Sequence, residues 1–66
     1  MWYNTAMILP ADNFILLSLI NTKLRDNYSS LQELCEEEGV TQSEIINRLA
    51  ALGYAYDEEE NGFKRI

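Results

Sequence analysis

Apolar residues in the first third of the chain recur with the period of an α-helix. Asp12, a good N-cap residue just after Pro10, predicts a helix from Asn13 to about Asp26. On a helical wheel, one side of this segment is apolar and is expected to face the core, while the opposite side is polar. The predicted core side consists of Leu16, Leu17, Ile20 and Leu24, and the polar side of Ser18, Asn21, Thr22 and Arg25.

The apolar stripe of this first helix is wider than one core-facing side requires, because Ile15 and Leu19 extend it. Two parts of the protein are candidates to cover the additional apolar surface of this helix. One is the N-terminal segment with Trp2, Tyr3 and Ile8, and the other is a second copy of the chain. The sequence pattern does not decide between these two candidates.

Two S/T-x-x-E patterns predict two short helices in the middle of the chain. The pattern Ser30–Glu33 begins the second helix, which should end at Gly39, since glycine readily takes the left-handed conformation found after helices. The pattern Thr41–Glu44 begins the third helix, which should end at Gly53. Two capped helices this close form a helix-turn-helix unit. Their predicted inward residues are Leu31, Leu34 and Cys35, then Ile45, Ile46, Leu49 and Leu52.

After Gly53 the apolar period changes from that of a helix to that of a strand. Tyr54–Tyr56 and Phe63–Ile66 predict two strands, with Asp57–Gly62 as the acidic loop between them and its last two residues as a turn signal. An isolated hairpin is marginal in water, so its aromatic residues should pack on the helices. The predicted fold is α+β and mainly α: three helices with a helix-turn-helix, followed by a C-terminal β-hairpin, which is the arrangement of a small winged helix.

The length of 66 residues allows one domain, and 47% hydrophobic residues are typical of a folded one. We assign it to residues 7–66. Met7 offers a second start, so Met1–Ala6 is interpreted as an N-terminal extension or a cloning remnant. No apolar run approaches the ~20 residues of a membrane span, and the N-terminus lacks the pattern of a signal peptide. The sequence therefore predicts a cytoplasmic protein.

The set of reactive side chains argues against an enzyme. The chain has no histidine and no glycine-rich phosphate loop. The single cysteine, Cys35, is expected in the core and lies beside Glu36–Glu38, which would raise rather than lower its pKa. The loop Asp57–Gly62 resembles the start of an EF-hand loop but lacks the final glutamate. We predict no catalytic residue, no cofactor and no metal ligand.

The formal charge of −6 comes from the second half of the chain. Residues 1–30 balance two acidic side chains against two basic ones, whereas residues 31–66 carry nine acidic and three basic ones. The acids cluster at Glu36–Glu38 and at Asp57–Glu60. Such a surface repels phosphate and anionic lipid and favours a basic partner, so nucleic acid and membranes are not expected as partners.

The end of the first helix offers a further polar surface, formed by Asn21, Lys23, Arg25 and Asp26 beside Tyr28. The two cations lie in the last turn, where the helix dipole favours them, which is a sufficient structural role. Alternatively, Arg25 holds the acidic tail, or the stripe docks a partner. The main prediction is a protein–protein interaction or homodimerisation module. Its predicted surface is Ile15, Leu19, Asn21, Lys23 and Arg25.

DNA binding is the alternative function, because the second helix of a helix-turn-helix reads bases in the major groove. The exposed side of the third helix would present Ser43, Asn47 and Arg48, and asparagine and arginine are readers of adenine and guanine. Glu44 on the same side and the acidic loop oppose the phosphate contacts that supply most of the affinity. The alternative therefore rests on the analogy between folds.

Two resemblances to known families accompany these patterns. Residues 29–66 resemble the winged helix-turn-helix of the biotin operon repressor, in Leu31-x-x-Leu34-Cys35, Gly39-Val40-Thr41, Ile45-Ile46-x-x-Leu49, Leu52-Gly53-Tyr54 and the terminal hairpin. Residues 7–63 resemble a bacterial family of short stand-alone proteins described as a domain of unknown function. That second resemblance implies a bacterial origin and supplies no activity. It is carried by Leu16-Leu17-Ser18, Ile20-Asn21, Lys23-Leu24-Arg25-Asp26, Tyr28-Ser29-Ser30-Leu31, Leu34-Cys35, Gly53-Tyr54, Tyr56-Asp57, Asn61 and Phe63.

Overall fold

The computed structural model describes residues 8–66, and the predicted extension Met1–Ala6 lies outside the described residues. The described fold is α+β and mainly helical, with three helices followed by one two-stranded antiparallel hairpin, as the sequence predicts. The elements are α1 (Asn13–Asp26), α2 (Leu31–Glu38), α3 (Gln42–Ala50), β1 (Tyr54–Asp57) and β2 (Gly62–Arg65).

The helices begin and end where the sequence places capping residues. The side chains of Asp12, Ser30 and Thr41 cap the three helices, and each accepts a hydrogen bond from a main-chain N–H two or three residues further on. Gly39 ends α2 in the left-handed conformation with φ of 74°. The three helix starts and the end of α2 are therefore confirmed.

The core lies where the three helices meet the hairpin, with β2 packed on α1 and β1 on α3. Tyr56 and Phe63 lie opposite each other in the hairpin, with ring centroids 5.6 Å apart. The buried side chains come from every helix and from β2, and the sequence predicts all of them as core or as packing on the helices. They are Leu16, Ile20, Leu24, Leu31, Leu34, Cys35, Ile45, Leu49 and Phe63.

The prediction for the third helix is wrong in two details. Ile46, predicted to point inward, is 38% exposed, because it lies about 100° around α3 from the buried Ile45. The helix ends at Ala50, and residues 51–53 form a turn that leaves Leu52 only half-buried.

The hairpin differs from the prediction at both ends: β2 ends at Arg65 rather than Ile66, and one further residue pair joins the strands beside the turn. Asp57 and Gly62, assigned to the loop from the sequence, are paired across the strands, so the connecting turn is residues 58–61. The Asp57 carboxylate accepts hydrogen bonds from two main-chain N–H groups inside this turn. The left-handed residue of the turn is Asn61, with φ of 53°.

Candidate functional site

The clearest exposed apolar surface lies on the first turns of α1. We call it the α1 patch and define it as Phe14, Ile15 and Leu19. Phe14 is 62% exposed and Ile15 57%, while Leu19, one turn along from Ile15, is half-buried. The sequence predicted Ile15 and Leu19 for this surface but not Phe14. On the helical wheel, Phe14 lies among the polar residues of α1, and this position indicates that its side chain is exposed.

Asn21, predicted on the solvent side of α1, instead holds the hairpin. Its Oδ1 accepts a hydrogen bond from the main-chain N–H of Phe63 at 2.7 Å, and its Nδ2 donates to the carbonyl of the same residue at 3.2 Å. The side chain is half-buried. One amide thus satisfies both main-chain groups of Phe63 on the edge of β2, which is a structural role.

Lys23 joins a small polar cluster at the end of α1. Its Nζ donates to Oε2 of Glu38 at 3.3 Å, and the hydroxyl of Tyr28 donates to the same oxygen at 2.5 Å. All three side chains are half-buried. The cluster ties the end of α1 to the end of α2, so Lys23 has an intramolecular partner.

The Tyr28–Glu38 hydrogen bond changes the acidity of both groups. It is the main cause that raises the pKa of Tyr28 to about 12, and the main cause that lowers the pKa of Glu38. A phenol with a raised pKa stabilises the fold below its ordinary pKa of 10, and this stabilisation is lost as the pH rises towards 12. The lowered pKa of Glu38 acts in the opposite direction, with stabilisation lost in acid.

We therefore expect a Tyr28→Phe variant to be less stable than the wild type at neutral pH, and this difference to shrink between pH 10 and 12. Urea unfolding across that range measures it, and ultraviolet titration should show that the Tyr28→Phe variant has lost a late-ionising phenol present in the wild type. A stability difference that stays constant above pH 10 would contradict the coupling. Tyr54, whose hydroxyl has no hydrogen-bond partner among residues 8–66, provides the matched control as Tyr54→Phe.

Arg25 pairs with its neighbour in the chain. Its Nε lies 3.0 Å from Oδ1 of Asp26, with both side chains more than half exposed. This contact lowers the pKa of Asp26 and raises the pKa of Arg25. Exposed pairs of this kind contribute little to stability, so Arg25 is the most accessible cation of the predicted surface.

Arg48, predicted as a base reader in the alternative function, turns towards the start of α1. Its Nε donates to Oδ1 of Asn13 at 2.7 Å, and its Nη2 donates to the carbonyls of Pro10 and Ala11, the latter at 3.1 Å. The guanidinium is thereby used to fix the segment that leads into α1. Ser43 and Asn47 are exposed on α3.

Asn61 forms a polar centre that the sequence analysis treated only as a turn signal. Its Oδ1 accepts from the Tyr56 hydroxyl at 2.7 Å, and its Nδ2 donates to the carbonyls of Leu24 and Tyr28 at 3.0 and 2.8 Å. The Tyr56 hydroxyl in turn accepts from the N–H of Leu31 at 3.1 Å. The hairpin turn, the end of α1 and the start of α2 meet at this one amide.

An open cleft of about 410 Å³ lies between residues 9–11 and the α2–α3 turn. Its charged side chains are Glu44 and Arg48, and the latter is already engaged. Within residues 8–66, no three histidine, cysteine, aspartate or glutamate side chains are placed to hold a metal ion. The cysteine is buried, and burial raises the pKa of the Cys35 thiol.

Fold and contacts together define a small three-helix domain whose hairpin is held by side-chain amides. The chain belongs to the family described as Domain of unknown function (DUF4250), which matches residues 10–63. Neither a curated protein nor a solved structure matches the chain. In the described part of the chain, no helix has the length and apolar character needed to cross a membrane.

Proposed function

We propose that this domain works by protein–protein contact and that the α1 patch is its contact surface. The observation that carries the proposal is the exposure of Phe14 and Ile15, two adjacent large apolar side chains that are each more than half exposed. The N-cap Asp12 accepts hydrogen bonds from the N–H groups of both residues, so their backbone is fixed. Covering apolar area stabilises a complex by about 25 cal/mol per Å², and a fixed backbone reduces the entropy that is lost when the patch is covered.

The charge of the domain indicates the chemistry of the partner. The net charge is −6, and three of the five cations are engaged within the domain. A negatively charged surface attracts basic partners and accelerates their association. We therefore assign the patch to a protein that presents apolar side chains within a basic surrounding.

The contacts of Arg48 weigh against the DNA-binding alternative. A base-reading guanidinium must reach the major groove, whereas this one lies against the carbonyls that precede α1. Of the three predicted base-reading residues, Ser43 and Asn47 remain exposed on α3. They lie beside Glu44, whose negative charge repels DNA phosphate.

The test is affinity capture from cells that produce this protein, with three baits. Relative to the wild type, the double variant Phe14→Gln/Ile15→Gln should bind its specific partner about tenfold or more weakly, since loss of a hot-spot residue at the centre of an interface costs about 2 kcal/mol or more. The matched control Ser18→Gln/Thr22→Gln changes two exposed residues of the same helix and should retain it. All three should fold equally well, because exposed substitutions change stability by about 0.5 kcal/mol or less.

Two results would overturn the proposal. One is a partner retained equally by the patch variant and the control. The other is binding of labelled random duplex DNA at low salt that an Asn47→Ala substitution weakens, which would establish the regulator instead.

A further inference from the structure

The hydrogen bonds of β2 reveal which main-chain groups of the hairpin point outward. Both the N–H and the carbonyl of Phe63 bind Asn21, so they face α1 and not β1. The N–H of Ile66 donates to the carbonyl of Gly53 at 2.8 Å. Because pairing in an antiparallel ladder alternates, Tyr56 and Phe63 form a non-hydrogen-bonded pair.

The same alternation applies to β1. The N–H and carbonyl groups of Tyr54 and Tyr56 point away from β2, along the outer edge of the hairpin. In the described part of the chain, nothing outside the hairpin hydrogen-bonds to these four groups, and only the hydroxyl of Tyr56 has such partners. Within residues 8–66, the outer edge of β1 is therefore open, whereas Asn21 occupies the Phe63 groups on the edge of β2.

We propose that the open edge of β1 pairs antiparallel with β1 of a second copy of this chain, with Ala55 opposite Ala55. Only residues whose main-chain groups point outward can form the new bonds. This register places Tyr54 of each copy opposite Tyr56 of the other, so all four outward groups of each copy are used. A two-fold axis at Tyr54 or Tyr56 instead would pair the second tyrosine with a residue outside the strand.

The two acidic turns lie far apart in this register. The turns at residues 58–61 lie at opposite ends of the antiparallel pair, since residue 58 is three positions from the axis. The two turns are then separated by about 20 Å along the strands, at ~3.3 Å per residue. That is well beyond the ~8 Å Debye length at physiological salt, so their repulsion is screened.

The packing of α1 on β2 is expected to limit the assembly to two copies. Exposed edges usually carry lysine, proline or a bulge that prevents pairing, and β1 has a small exposed Ala55 at its centre instead. Because α1 packs on β2 and Asn21 binds the outward groups of Phe63, pairing through β1 is expected to give a closed dimer rather than a filament. This interface is separate from the α1 patch, so the dimer would display two patches.

A cross-linking experiment tests the register directly. Non-hydrogen-bonded partners lie about 4.5 Å apart between Cα atoms, within the range of a disulfide. In a Cys35→Ala background, the Ala55→Cys variant should form a disulfide-linked dimer under mild oxidation about tenfold faster than the Lys64→Cys variant. Residue 64 is also exposed, but its two copies would be about 14 Å apart, across three strand spacings. Equal rates would overturn the proposal.

Hydrogen exchange of the unmodified chain provides a second measurement that needs no substitution. Protection of the Tyr54 and Tyr56 amides should rise with protein concentration, while the Ala55 amide, which bonds within the hairpin, stays protected throughout. Protection of the two tyrosine amides that is independent of concentration would contradict strand pairing. Adding Phe14→Gln/Ile15→Gln to the cross-linking background should leave the rate unchanged, so failure of the α1 patch proposal and failure of this one are distinguishable.

Discussion

Replacing Asn61 with alanine is expected to lower the free energy of unfolding by about 3 kcal/mol or more. The substitution removes three hydrogen bonds, each worth about 1 kcal/mol. It also forces an alanine into the left-handed conformation, which costs about 1 kcal/mol. A domain of this size has about 3–10 kcal/mol of stability in all, so the variant should unfold at a much lower urea concentration.

An Asn61→Gly variant separates the two contributions. Glycine accepts φ of 53° without strain but makes none of the side-chain hydrogen bonds. It should therefore lie between the wild type and the alanine variant, about 1 kcal/mol above the latter. An alanine variant within about 0.5 kcal/mol of the wild type would show that this polar centre does not hold the hairpin to the helices.

Replacing Asn21 with alanine should cost about 2–3 kcal/mol in the free energy of unfolding. The amide binds both main-chain groups of Phe63, and its loss leaves a donor and an acceptor unpaired beside the core. Urea unfolding measures the effect, with Thr22→Ala, an exposed neighbour on α1, as the matched control. The control should stay within about 0.5 kcal/mol of the wild type.

The same variant distinguishes the two roles that have been given to Asn21. If Asn21→Ala is as stable as the control but loses a binding partner, the residue belongs to an interaction surface, as the sequence predicts. If stability falls as expected, its role is to hold the hairpin. An Asn21→Asp variant should also be destabilised, because a carboxylate keeps the bond to the N–H of Phe63 but repels its carbonyl.

The polar surface predicted at the end of α1 is largely used inside the molecule. Lys23 binds Glu38 and Asn21 binds the hairpin, so of the five predicted residues Ile15 and Arg25 are the most exposed. Phe14, which the sequence did not predict for this surface, is exposed next to Ile15. The candidate surface is therefore smaller and more apolar than the sequence indicated.

The helix starts, the buried positions of α1 and the two strands could be predicted from the sequence. Asp12, Ser30 and Thr41 cap the helices that follow them, because an N-cap acts on N–H groups two or three residues away. The buried positions of α1 follow from the helical period, and the two strands from alternation. These interactions join residues close in the chain, so composition and spacing were sufficient to find them.

Contacts between residues that lie far apart in the sequence could not be predicted from local patterns. Asn21, Arg48 and Asn61 are ordinary polar residues in the sequence, yet each bonds to a group 33 to 42 positions away. A helical wheel gives the direction of a side chain about its own axis but not which element lies in that direction. Only the packing of the hairpin on α1 placed Asn21 against Phe63, where its amide occupies part of the β2 edge.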